Sequence, residues 1–174
     1  TNISIMDCAN LGTIQGDLDT CGGIVGYNNS IIRLCRNSGI VSGAALRIGG
    51  IAGYNQYQIQ TSYSNGFLSG SSECIGGIVG YHANNLIRNC YNTGSLDGQG
   101  QYAGGIAGIS TGGQIQNCYN TGLISGSAAS SGGIAGLLGS ASSISQCYFL
   151  DQMERGVGSG IDSAVRCAEP LLYA

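Results

Sequence analysis

The 174-residue chain has no lysine and no tryptophan, and only one proline and one histidine. Charged residues make up 9% of it and the net charge is −3. With no basic stretch, neither nucleic acid nor an anionic membrane surface is an expected partner. No apolar run approaches the roughly 18 residues that a membrane-spanning helix needs, so membrane insertion is not expected. The lone histidine, His82, has no Cys-x-x-Cys or second histidine near it, so no metal site is expected. It falls between periodic segments and reads as a solvated loop residue. No phosphate-cradling loop and no nucleophile elbow are present. The acids Asp7, Asp17, Asp19, Glu73 and Asp97 are scattered. Glycan cleavage needs carboxylates in pairs. The expectation is therefore no catalytic residue and no cofactor.

What the chain has instead is glycine, 32 of them, on a fixed beat. Gly-Gly-Ile begins at Gly22, Gly49, Gly76, Gly104 and Gly132, steps of 27, 27, 28 and 28 residues. A second row keeps time with it: Cys8, Cys35, Ser62, Cys90, Cys118 and Cys147. Three residues before each member stands an isoleucine: Ile5, Ile32, Ile59, Ile87, Ile115 and Ile144. A period of this size marks a solenoid, a propeller or an array. It is too short for a propeller blade, which takes about 40 to 50 residues, and it lacks the leucines of a leucine-rich repeat. The apolar pieces are short, β-branched and interrupted by glycine, which disfavours helix by about 1 kcal/mol per site. The reading is all-β: a right-handed parallel β-helix with three short strands per 27- or 28-residue coil and five to six coils. Stacked strands lie about 4.8 Å apart, so like residues sit over like. A polar residue in an isoleucine row would be buried without a partner. The reason both glycines of each pair are kept is not legible at this level.

Five of the eight cysteines lie in the inward row. Stacked neighbours with parallel Cβ vectors make poor disulfides, so a reduced, buried ladder is expected. The next residue along points outward: Ala9, Arg36, Tyr63, Tyr91, Tyr119 and Tyr148. Arg36 and the four tyrosines form a candidate binding stripe for a host protein or a glycan. The alternative is self-stacking that stabilises the coil, with Arg36 adding a cation–π contact. Asn10, Asn37, Asn92 and Asn120 are expected to form an internal hydrogen-bond ladder. All length variation falls at one corner, after the Gly-Gly-Ile strand. The period holds from 1 to 148, and 149–174, which carries Pro170 and Leu171–Tyr173, reads as a C-terminal cap or the start of a following segment. The first coil is already in register at Ile5 with no N-terminal cap, which suggests a piece of a longer protein.

GGIVGY at 22–27 and 76–81, GGIAGY at 49–54, and CYNTG at 90–94 and 118–122 resemble the GLUG-motif repeat. The resemblance spans about Ile3 to Tyr148. It implies a β-solenoid segment of large secreted or surface-anchored bacterial proteins, among them adhesins and the non-catalytic part of immunoglobulin A-cleaving metallopeptidases. The peptidase zinc motif is absent, so no catalytic role carries over. The expected function is a non-enzymatic stalk or adhesive surface, extracellular or at the cell surface. Its partners would be the other domains of the same larger protein. The alternatives are a carbohydrate-binding or carbohydrate-cleaving β-helix, and a scaffold that positions a catalytic domain.

Overall fold

The computed structural model describes residues 3–150 and 152–167. Among them every element is a strand, and every pairing is parallel to the equivalent strand one coil away. The coil beginning at residue 113 shows the plan. Its strands are Gly113–Gln116, Tyr119–Asn120, Ile124–Ser125, Ser130–Gly132 and Ala135–Leu138. We call the five sheets they belong to A to E, in that order. Sheets A and E have six strands, B has seven, and C and D have five each. The isoleucine row is in register through sheet A, Ile5–Ile32–Ile59–Ile87–Ile115–Ile144. Ile32, Ile59, Ile87 and Ile115 are fully buried.

Five segments per coil replace the three expected, because two strands are each broken by a corner. The first break precedes the cysteine row. Asp7, Leu34, Thr61, Asn89, Asn117 and Gln146 all have positive φ, between 47° and 57°. Each cysteine thiol then donates back to the carbonyl two residues earlier: Cys90 Sγ to Arg88 O at 3.2 Å, Cys118 Sγ to Gln116 O at 3.2 Å. Ser62 does the same through Oγ, to Gln60 O at 2.9 Å. The row therefore needs a small side chain with a donor, which explains how serine substitutes for cysteine. A β-branched residue is a poor occupant of the left-handed region, at a cost of roughly 1–2 kcal/mol. Thr61→Asn, the residue already at 89 and 117, should raise stability by about 1 kcal/mol in urea denaturation.

The second break is at Gly-Gly, and it divides the interior into two cores. One holds the Ile row, the Cys row and Ile51, Ile78, Ile106 and Ile134, between sheets A, B and E. The other holds Val41, Leu68, Leu96, Ile48 and Ile75, between sheets C and D. The partition between them is the asparagine ladder pressed against the second glycine of each pair. A Cβ on Gly77 would lie 2.6 Å from Asn92 Cγ and 2.1 Å from the Gly105 carbonyl oxygen. On Gly76, the first of the pair, it would lie 1.9 Å from the carbonyl oxygen of Val79. Both glycines are thus required by close backbone approach.

Each asparagine of the partition clamps the glycine two residues on. Asn92 Nδ2 donates to Gly94 O at 2.8 Å, and Gly94 N donates to Asn92 Oδ1 at 3.3 Å. The ladder runs between coils from Asn10 to Asn37 at 2.7 Å and from Asn92 to Asn120 at 2.8 Å. Phe149 takes the next place in register after Asn120 and lies against Gly133. Beyond it the chain bypasses sheets C and D. Val157–Ser159 extends sheet E and Val165–Cys167 extends sheet B. Asp162 holds this segment by accepting from the backbone N–H groups of Gly156, Val157 and Ala164. Asp151 and 168–174, which include Pro170 and Leu171–Tyr173, lie outside the described residues.

Candidate functional site

Sheet B places the predicted stripe in one register, Ala9–Arg36–Tyr63–Tyr91–Tyr119–Tyr148. Its side chains face outward: Arg36, Tyr119 and Tyr148 are exposed, Tyr63 and Tyr91 half-buried. Ring centroids are 4.8 Å apart for Tyr63–Tyr91 and 4.9 Å for Tyr91–Tyr119, with planes within 2°. Each ring therefore covers its neighbour's face, and the middle of the stripe offers solvent ring edges and phenol ends. Burial, reinforced by Tyr63, pushes the Tyr91 phenol pKa up, so it stays protonated. The outward row of sheet A lies one corner away and reads Met6–Arg33–Gln60–Arg88–Gln116–Ser145. Between the two rows, Asn117 Nδ2 donates to Asn89 Oδ1 at 2.6 Å.

The cation–π contact expected at Arg36 falls elsewhere. Among the described residues it is Arg47 whose guanidinium carbon stands 5.4 Å from the ring centroids of both Tyr54 and Tyr81. These two rings and Tyr27 form a second stack on sheet E, with centroids 5.1 and 5.2 Å apart. Arg47 also pairs with Asp19, the ion pair seen among the described residues. Sequence spacing could not reveal this contact, because it joins a sheet D row to a sheet E row that only the Gly-Gly corner brings together.

His82 is a correction. It is fully buried rather than solvated. It continues a row at the end of sheet E, Asn28–Asn55–His82–Ser110. Asn28 Nδ2 donates to Asn55 Oδ1 at 2.6 Å, and Asn55 Nδ2 lies 3.0 Å from His82 Nδ1. Nε2 is buried with no hydrogen-bond partner. It sits where a Cβ on Gly113 would be, 2.0 Å away, so the glycine makes room for the ring. Burial lowers the imidazole pKa to about 4, against nearby backbone groups of Gln114, Asn85 and Asn55 that favour the charged form. Asn28, the first residue of the Asn28-Asn29-Ser30 triplet, is itself buried and engaged with Ser30, which leaves it unavailable for glycosylation.

Cys8, Cys35, Cys90, Cys118 and Cys147 of the row are free thiols, buried except Cys8, and Cys21 and Cys74 are free and buried off the row. Burial pushes the thiol pKa of Cys118 well up and that of Cys74 to about 12, which keeps both uncharged. Among the described residues no group of three or more His, Cys, Asp or Glu is placed to hold a metal ion. Among the described residues no helix is long and apolar enough to cross a membrane.

A continuous coil with internal ladders and no convergent reactive groups among the described residues defines a β-solenoid repeat protein. Two adjacent coils, residues 71–97 and 99–125, match the sequence profile of the GLUG motif. The structure is similar to the crystal structure of a Bacteroides ovatus protein described as a candidate immunoglobulin A1 protease. The TM-score is 0.72 at 25% identity, over 95% of this chain and 61% of that one. The chain thus spans about three fifths of the length of that protein. No curated protein matches the sequence.

Proposed function

We propose that the chain is a non-catalytic solenoid segment of a larger secreted or surface-displayed bacterial protein, serving as a stalk with one contact surface, the corner between sheets A and B. The observation that carries this reading is the division of labour between rows. Inward positions repeat nearly unchanged and apolar, while the outward row of sheet A mixes arginine, glutamine, methionine and serine and that of sheet B carries Ala9, Arg36 and four tyrosines. Ladders that satisfy themselves build length, and an exposed aromatic row beside cations suits recognition. Residues 149–174 would then close or continue the stalk. On an array of host proteins and glycans, the isolated chain should retain a ligand whose binding weakens at least tenfold in the double variant Tyr91→Ala, Tyr119→Ala. A ligand held equally by that variant would move the contact surface elsewhere. Antiserum against the solenoid should stain intact cells of the native host; staining only after lysis would contradict surface display.

The likeness to a protein described as a candidate protease supports a second reading, a scaffold beside a catalytic domain of a longer polypeptide. Deleting one coil, Asn92–Tyr119, from the full-length protein should then change turnover of a macromolecular substrate while sparing a small chromogenic one.

A further inference from the structure

We propose that the corner between sheets A and B binds a carboxylated polysaccharide lengthwise. Arg33, Arg36 and Arg88 would hold its carboxylates, and the phenol ends of the tyrosine ladder its hydroxyls. This rests on the reading of that corner as the contact surface, and it names the partner's chemistry. The argument begins with how the six arginines are used. Arg47 is paired with Asp19 and lies over two rings. Arg155 donates to the Gly158 carbonyl, and Arg166 is engaged in the C-terminal segment. The other three, Arg33, Arg36 and Arg88, are exposed, and all three lie on the neighbouring outward rows of sheets A and B.

Among the described residues one acid, Asp7, sits at this corner, in the first coil. Asp17, Asp19, Glu73 and Asp97 belong to sheet C and the turns between C and D, and Glu154 and Asp162 to the C-terminal segment. A molecule of net charge −3 thereby keeps one cationic edge, which orients an approaching polyanion onto it. The guanidinium fork matches a carboxylate.

The same geometry selects among polyanions. Single-stranded nucleic acid needs open ring faces for its bases, and here Tyr63, Tyr91 and Tyr119 cover one another. A peptide strand needs an unpaired sheet edge, whereas these strands are paired on both sides through the interior coils. What remains is a line of hydroxyl and amide groups, from Tyr63, Tyr91, Tyr119, Gln60, Gln116 and Asn89, repeating along the axis. That pattern suits a polyol carrying regular negative charge.

Affinity electrophoresis with polygalacturonate, dextran and poly-L-glutamate tests this. Polygalacturonate should retard the wild-type chain, with the apparent Kd raised at least tenfold by the triple variant Arg33→Ala, Arg36→Ala, Arg88→Ala, and raised severalfold by Tyr91→Ala with Tyr119→Ala. Dextran should not retard it, and poly-L-glutamate should bind at least tenfold more weakly than polygalacturonate. All three arginines are exposed, so the triple variant should keep the wild-type melting temperature and circular dichroism. No retardation by polygalacturonate, equal retardation by poly-L-glutamate, or a triple variant that binds like wild type would each overturn the proposal. If the array ligand still depends on Tyr91 and Tyr119 in that event, the contact surface stands and only the partner's chemistry is wrong.

Discussion

Gly77→Ala should abolish folding of the chain, leaving insoluble or proteolysed material where the wild type is soluble. The added Cβ would lie 2.1 Å from the Gly105 carbonyl oxygen in the next coil and 2.6 to 2.7 Å from Cγ and Cβ of Asn92. Neither neighbour has room to yield. Asn92 is buried and tied to Gly94 and Asn120, and Gly105 N is bonded onward to Gly132 O. Relief would require parting two coils, breaking ladder hydrogen bonds on each side. Overpacking that only displaces side chains costs about 1–3 kcal/mol, and one that meets fixed backbone costs more. That is comparable with the whole stability of a domain, about 5–15 kcal/mol. Gly12→Ala is the internal control. Its Cβ would meet only Asn10 Oδ1, at 3.9 Å, so it should fold and change stability by less than about 1 kcal/mol. Expression and melting of the two variants side by side decide the matter. A soluble, cooperatively melting Gly77→Ala protein would mean the partition is looser than described.

Acidification should destabilise the fold by about 3 kcal/mol through His82 alone. In the unfolded chain the imidazole takes its proton near 6.5, and in the folded chain only near 4. The unfolded state therefore binds more protons between those values. Stability is fully present above pH 6.5 and falls steadily as pH drops toward 4, at 1.36 kcal/mol per unit. The groups packed around the ring are Asn55, Ser110, Gly113, Gln114 and Asn85, none of them acidic, so no carboxylate compensates a new cation. Protonating Nδ1 would also set two donors against each other, since Asn55 Nδ2 already points there. Asn55 cannot turn its amide over freely, because its Oδ1 accepts from Asn28 and its Nδ2 donates to Tyr57 O. His82→Asn restores the residue found in this row at 28 and 55. Urea midpoints at pH 7 and pH 4.5 should fall steeply for wild type and far less for this variant. Parallel losses would show that His82 is not the acid-sensitive group.

The sequence disclosed the ladders because each has a single cause, and that cause repeats. An isoleucine that packs on its own copy recurs every 27 to 29 residues, and an asparagine that clamps its glycine accompanies it in four of the coils. The corners were less legible. The left-handed position before the cysteine row is filled by Asp, Leu, Thr, Asn, Asn and Gln, which share a backbone conformation and no side-chain chemistry. Three strands were therefore expected where five segments exist. The burial of His82 is illegible in the sequence for a related reason. Its row reads Asn, Asn, His, Ser and then Leu138, so no one residue type announces that the position is interior. Spacing puts the tyrosines in one row but says nothing about ring orientation. Whether faces or edges meet the solvent follows from successive coils holding parallel rings with centroids 4.8 Å apart.

The account depends on successive coils lying directly over one another. Methyl NOE spectroscopy on protein labelled at isoleucine δ1 reads this directly. Cross-peaks should link Ile32 to Ile59, Ile59 to Ile87, Ile87 to Ile115 and Ile115 to Ile144, each joining the δ1 methyls of residues 27 to 29 positions apart. A spectrum in which these methyls lack those cross-peaks, or broaden with a soluble paramagnetic agent as exposed groups do, would contradict it.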